Sequence, residues 1–253
     1  MPETANTTYI PPTEATVKPL PHFETPQPGM SLHVSREIHC AVSPNLTHPE
    51  HVKGIKRIVM VIGGWPEKEE DVAKGIQTLQ PLIEAVDQNK DLGLVHIYLG
   101  SGTTGLNNVG SYLQKTLEMY PNTDIDMVTF SAGVMALAKQ VDENGRLTPE
   151  TKKLWKNVKS LKLVSPILGR QALKSIFKAF AKIVTLNNPN LLPSTDQYYN
   201  KVSPLFQYLV TELGITITIS LGKNDTYVDE KAVIEALETH FPLLVKEKGI
   251  HIG

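Results

Sequence analysis

Ser131 lies between an apolar, β-rich run, Ile125-Asp126-Met127-Val128-Thr129-Phe130, and a helical one, Ala132-Gly133-Val134-Met135-Ala136-Leu137-Ala138. A serine at a strand-to-helix turn has two uses. Its hydroxyl can cap the helix, accepting a hydrogen bond from one of the first unpaired N–H groups. Alternatively, a sharp turn holds it in a strained conformation that projects Oγ out of the sheet while the next N–H faces a developing oxyanion. The second use needs small neighbours so that helix and strand pack closely, and Ala132 and Gly133 are small. It also needs a base to accept the hydroxyl proton and a carboxylate to orient that base. An acid and a histidine must therefore follow at the ends of other strands.

The elements that would position such groups are legible from pattern. Lys56–Ile62, Leu94–Leu99, Ile125–Phe130, Ser160–Ser165 and Ile215–Leu221 are short β-rich runs, mostly too continuously apolar for a half-wet sheet. They predict buried parallel strands. Residues 31–42 alternate well enough for one bent strand or a short pair, possible as an antiparallel sheet edge. Helical patterns fill the intervals: residues 67–88, 111–120 and 132–141, a Lys-rich stretch from Gly169, and 229–241. Strand alternating with helix predicts an α/β fold, a mostly parallel sheet with helices on both faces. Chemistry in such sheets sits in the loops at the strand carboxyl ends, where helix N-termini converge. Those loops begin at Gly63, Gly100, Ser131, Ser165 and Gly222.

Thr129-Phe130-Ser131-Ala132-Gly133 resembles the G-x-S-x-G nucleophile elbow of the α/β-hydrolase family, with Thr129 in place of the first glycine. Gly222-x-x-Asp225-x-x-Val228 resembles the family's acid loop. The stretch Leu243 to His251, read as a short last strand, Gly249 and then His251, resembles its strand-Gly-x-His ending, and the order Ser131, Asp225, His251 is the family's order. Arg57 to Pro66, ending Ile62-Gly63-Gly64-Trp65-Pro66, resembles its early strand followed by His-Gly-Gly. The resemblance covers residues 56–253 and implies an α/β-hydrolase-like domain. It implies a serine hydrolase, or acyltransferase, acting on a small-molecule ester or related acyl substrate with no metal or organic cofactor. Ser131 would attack, His251 would shuttle the proton and Asp225 would orient His251. Ala132 with Gly64 or Trp65 would stabilise the oxyanion. The implied domain spans 30–253 behind a proline-rich leader at 1–29, with 169–213 a candidate helical cap of the kind hydrolases often insert.

Each motif has a plainer reading. Ser131 serves as an N-cap, Asn224-Asp225 as a turn and Gly63-Gly64 as a turn. Asp229 reads as an ordinary helix N-cap or first-turn acid, and His240 as a cation at a helix C-terminus. A non-catalytic binding or regulatory protein on the same scaffold is the alternative function, with Thr129 where glycine is usual and Ile62 where histidine is. Gly100-Ser101-Gly102-Thr103-Thr104-Gly105 is a literal G-x-G-x-x-G, but the strand after it closes on Thr129-Phe130-Ser131 rather than on a ribose-binding acid. Pro49 separates His48 from His51 and prevents a helix from presenting both to one metal.

The 25 Lys and Arg against 26 Asp and Glu leave a formal charge of −1 over 253 residues, so no global field draws in nucleic acid or anionic lipid. Residues 171–184 place Lys174, Lys178 and Lys182 on one face of an amphipathic helix, which reads as packed on its own core, with docking at a lipid surface or gating of an apolar pocket as the alternatives, and residues 152–162 read as a solvated face. The seven prolines of residues 1–29 interrupt any secretory apolar core, and no stretch reaches the roughly 18 apolar residues of a membrane span. With the lone Cys40, which cannot pair within the chain, this predicts a cytoplasmic protein.

Overall fold

The structure, a computed structural model, describes residues 40–42, 54–63, 88–89, 91–97, 109–142, 144–168, 173–174, 195–222, 225, 228–246 and 249–252. Seven strands form one sheet: β1 (Cys40–Val42), β2 (Arg57–Ile62), β3 (Leu92–Ile97), β4 (Asp124–Phe130), β5 (Val158–Val164), β6 (Ile217–Ser220) and β7 (Ile250–Ile252). Their order is β1-β3-β2-β4-β5-β6-β7. β1 runs antiparallel to β3 at one edge, as its alternating sequence suggested, and every other pairing is parallel. Around the sheet run α1 (Val109–Met119), α2 (Pro149–Trp155), α3 (Thr195–Gln207), α4 (Glu230–His240) and α5 (Pro242–Lys246), with a 3₁₀ helix over Ser131–Lys139.

Both faces of the central strands bury apolar side chains, which is why these strands lack a polar alternation. Ile58, Met60, Ile62, Ile125, Met127, Leu161, Leu163, Ile217 and Ile219 share one face and join the main core. Val61 and Leu94 anchor a smaller cluster with Val59, Leu92, Val128 and Phe130 on the other. The main core is finished by α3, whose Tyr198, Tyr199, Val202, Leu205 and Phe206 are buried. Full burial of each such side chain contributes about 2 kcal/mol. Thus residues 195–212 of the interval expected to hold a cap form a helix, ending in one π-turn at Tyr208–Glu212, that packs into the core. Residues 169–172 and 175–194 of that interval lie outside the described residues.

Short helices are set by their caps. Thr148 accepts from the Thr151 N–H at 3.2 Å ahead of Pro149, whose missing N–H costs nothing at a first helical position. Asp229 caps α4 by accepting from the Ala232 N–H at 3.2 Å, the role its sequence position suggested. His240 closes α4, where its ring stacks on Tyr199 at 4.3 Å and its Nε2 lies 3.2 Å from Asp196. Among the described residues no helix is long and apolar enough to cross a membrane.

Candidate active site

β4 ends in the register Phe130↔Val164, and β5 continues it as Val164↔Ser220, so three neighbouring strands finish on one row. Ser131 follows directly with φ 48°, a left-handed conformation that serine rarely adopts. Phe130, extended at φ −111°, holds the N-cap position and makes no side-chain capping bond. Ser131 is therefore the first helical residue rather than the cap. Residues 132–138 behind it are all buried, so the helix is apolar all round and runs through the core. It is wound as 3₁₀, a helix where the sequence pattern had placed one, and Tyr198 donates its hydroxyl to the Val134 carbonyl at 3.1 Å. Burial pushes the Tyr198 phenol well above its ordinary range, so it stays a donor.

Gly133 explains the small neighbour. A Cβ there would stand 2.7 Å from the carbonyl oxygens of both Ile62 and Gly63, so helix and β2 meet backbone to backbone. Thr129, beside the turn on β4, is fully buried and its Oγ1 has no hydrogen-bond partner among the described residues. The carbonyl of Ser131 accepts from the Ile167 N–H at 3.2 Å, which ties the loop after β5 to the turn.

Asp225 stands in the loop after β6, half-buried. Its N–H donates to the Gly222 carbonyl at 2.9 Å, and its Oδ1 accepts from the Val228 N–H at 2.8 Å. The spacing Gly222, Asp225, Val228 is thus a hydrogen-bonded turn that fixes one carboxylate oxygen. A bridge between Leu173 and Val228 and a hydrogen bond from Lys174 Nζ to the Asp225 carbonyl clamp the loop from outside. Lys174, Gly222 and Val228 also border a cavity of about 760 Å³ that extends along the first turns of α4.

Ser131 and Asp225 therefore belong to the same carboxyl edge, on β4 and β6, with β5 between them. Two strand spacings separate those strands, roughly 10 Å, a gap of the size an imidazole with a hydrogen bond at each nitrogen spans. Ala132 follows Ser131 at the helix start, where N–H groups lack intrahelical partners. His251 is placed differently. Its backbone pairs with Thr218 inside β7, in the row of Lys162 and Val128, three residues before Ser131 and roughly 10 Å back along the strands. The terminal segment was expected to run strand, Gly249, His251. Instead Pro242–Lys246 form one helical turn and the strand begins after Gly249, with His251 at its centre. Pro242 favours that helical turn because its fixed φ suits a first helical position. Gly64 and Trp65 lie outside the described residues, as do residues 100–105, residues 48–51 and the Lys178 and Lys182 face. No group of three or more His, Cys, Asp or Glu that could hold a metal is present among the described residues.

Sequence reasoning passed over two groups at this edge. Lys174 was read only on one face of an amphipathic helix, whereas Leu173 beside it forms a β-bridge to Val228, and Ser165 was read only as the start of a loop, with nothing in the sequence to mark its left-handed φ of 44°.

The antiparallel first strand, the parallel remainder and the serine turn at the carboxyl edge give the chain an α/β-hydrolase-like architecture. No protein-family model and no curated protein matches the chain. Solved structures similar in shape include a monoglyceride lipase from Saccharomyces cerevisiae, at 11% identity over 90% of this chain and 85% of that one, with a TM-score of 0.45. A thioesterase domain from the curacin biosynthetic pathway is 10% identical over 87% and 89%, with a TM-score of 0.47. A cold-adapted esterase from an Arctic intertidal metagenomic library is 12% identical over 88% and 80%, with a TM-score of 0.43. These are likenesses of fold alone.

Proposed function

We propose that the protein is a serine hydrolase that cleaves an ester or related acyl bond through Ser131, His251 and Asp225. The observation that carries this reading is the Ser131 turn. A left-handed serine, pressed against β2 by a glycine with no room for a side chain, is strain with no capping role to explain it. Strain of this kind costs about 1–3 kcal/mol and persists where function requires it.

In the reaction Ser131 Oγ bonds to the acyl carbon as its proton passes to His251. The carbonyl oxygen becomes an oxyanion and accepts from the N–H of Ala132 and from that of Gly64 or Trp65. One such donor contributes about 3 kcal/mol to the transition state. Collapse breaks the bond to the leaving oxygen, and His251 returns the proton to the departing alcohol. Water then adds to the acyl-enzyme by the same path and releases the acid; an alcohol or thiol in its place makes the activity a transfer. Asp225, one oxygen held by Val228, orients the imidazole and stabilises its charge.

The second reading, a binding or regulatory protein on the same scaffold, is favoured by one observation, the position of His251 within β7 rather than at the carboxyl edge. Covalent labelling separates the two. A fluorophosphonate probe is expected to label the wild-type chain and not Ser131→Ala. His251→Ala slows labelling about a hundredfold or more, the scale of a lost general base. His240→Ala, which removes the ring stacked on Tyr199 and its contact with Asp196, labels at the wild-type rate. Folded wild-type protein that takes up no probe rules for the binding reading.

A further inference from the structure

Asp225 is held at three atoms. Its N–H donates to the Gly222 carbonyl, its Oδ1 accepts from the Val228 N–H, and its carbonyl oxygen accepts from Lys174 Nζ. The first two bonds join residues of one loop, so they shape the turn without fixing where it stands. The third spans 51 residues of sequence. Beside it, Leu173 makes an antiparallel bridge to Val228. Both of those residues are buried in the main core, so the segment that carries Lys174 is itself anchored.

Lys174 had another use open to it. It is half-buried and borders the cavity along α4, where water would satisfy an ammonium, and ordering its long stem costs entropy. Lys231, on the same cavity, makes the ordinary surface pair with Glu235, one helical turn on, at 3.6 Å. Lys174 instead places its charge on a backbone carbonyl, and a charged donor makes the stronger kind of hydrogen bond. The consequence falls on the side chain of the same residue. A residue has two soft backbone torsions, so holding both the N–H and the carbonyl of Asp225 fixes the direction of its Cα–Cβ bond. Val228 then sets the rotation of the carboxylate about that direction.

We propose that Lys174 is a positioning residue for the acid: by holding the Asp225 carbonyl from outside the loop, it sets the angle at which the carboxylate meets the base. The inference rests on the hydrolase reading given above. Lys174 acts through the backbone of Asp225 and leaves both carboxylate oxygens to their own partners.

The test is a double-mutant cycle on the full chain, read as the second-order rate of fluorophosphonate labelling. Lys174→Met keeps the length of the stem and removes the donor. It is expected to slow labelling about tenfold, the scale of one hydrogen bond from a charged group. In an Asp225→Ala chain, followed over longer times, the same substitution costs less than about twofold, because no carboxylate remains to be positioned. A merely structural role lowers both rates equally. Lys174→Arg, which keeps a charged donor on a long stem, recovers most of the rate. Lys174→Gln, with a neutral donor on a shorter stem, repeats the cycle and is expected to lose about as much as Lys174→Met. A loss of the same size in both backgrounds, or wild-type labelling by Lys174→Met and Lys174→Gln, overturns the assignment while leaving the Ser131 reading intact. Wild-type protein that is never labelled overturns both, so the two failures are told apart by the Ser131 control.

Discussion

The turn at Ser131 and the strand at His251 are built to different standards. The turn is held by a buried helix, by backbone contact with β2 and by the Ile167 hydrogen bond. The last described strand, β7, is three residues long and, among the described residues, lies at the sheet edge and pairs on one side only. Its approach depends on Gly249, whose missing side chain lets Val210 sit where a Cβ would be 2.4 Å away. The difference locates the hinge of the functional argument. The proposed nucleophile's position is a property of the core, whereas the proposed base is presented by an element that few contacts specify. Short edge strands are where local opening has a low free energy.

Gly133→Ala tests the rigid side and should have the largest effect on stability. The added methyl meets two carbonyl oxygens at 2.7 Å, and both belong to the backbone of β2. Neither can rotate away, so helix or strand must shift. The expected loss is about 3 kcal/mol, seen as a lower midpoint in urea unfolding. No truncation of a neighbouring side chain should restore it.

Gly249→Ala makes the contrasting test at the loose side. Here the obstacle is a side chain, Val210 Cγ1. The expected loss is about 2 kcal/mol by the same measurement. Val210→Ala in the same chain should recover most of it, because it removes the atoms in conflict. Recovery at Gly249 without recovery at Gly133 supports the contrast; equal behaviour of the two sites would erase it.

The same contrast governs what could be read from sequence. The strands from Arg57 to Ile62 and from Asp124 to Phe130 were legible because buried parallel strands need continuous apolar runs. The serine turn was legible because close packing restricts the residues that follow it. The terminal segment misled, since Leu243 to Gly249 is too short to separate a strand from a helical turn by period. α3 was expected only within a helical cap over 169–213 and not as a core helix of its own, although its apolar residues, at 198, 199, 202, 205 and 206, keep a helical spacing. Pro204 within it argues locally against a helix. The winding of the helix after Ser131 left no trace because a helix buried on every side has no polar face to report its period. Ser165 was invisible for a different reason: its distinction is a backbone angle.

Thr129 offers the finest test of how completely the rigid side is optimised. It stands where the elbow pattern has glycine, and its side chain lies on the row of Ile62 and Leu163, in the middle of the main core. The hydroxyl is buried with no partner among the described residues, so folding strips it of water without a compensating hydrogen bond from them. Valine has nearly the same shape and carries a methyl where Thr129 carries Oγ1. Thr129→Val should therefore stabilise the fold by about 1 kcal/mol, measured as a higher urea midpoint with an unchanged slope. Probe labelling at Ser131 should stay at the wild-type rate, because the exchange leaves the volume beneath the turn as it was. A fall in labelling with stability unchanged would mean that the hydroxyl serves the turn itself, and that the rigid side carries a polar contact made only when the site is occupied.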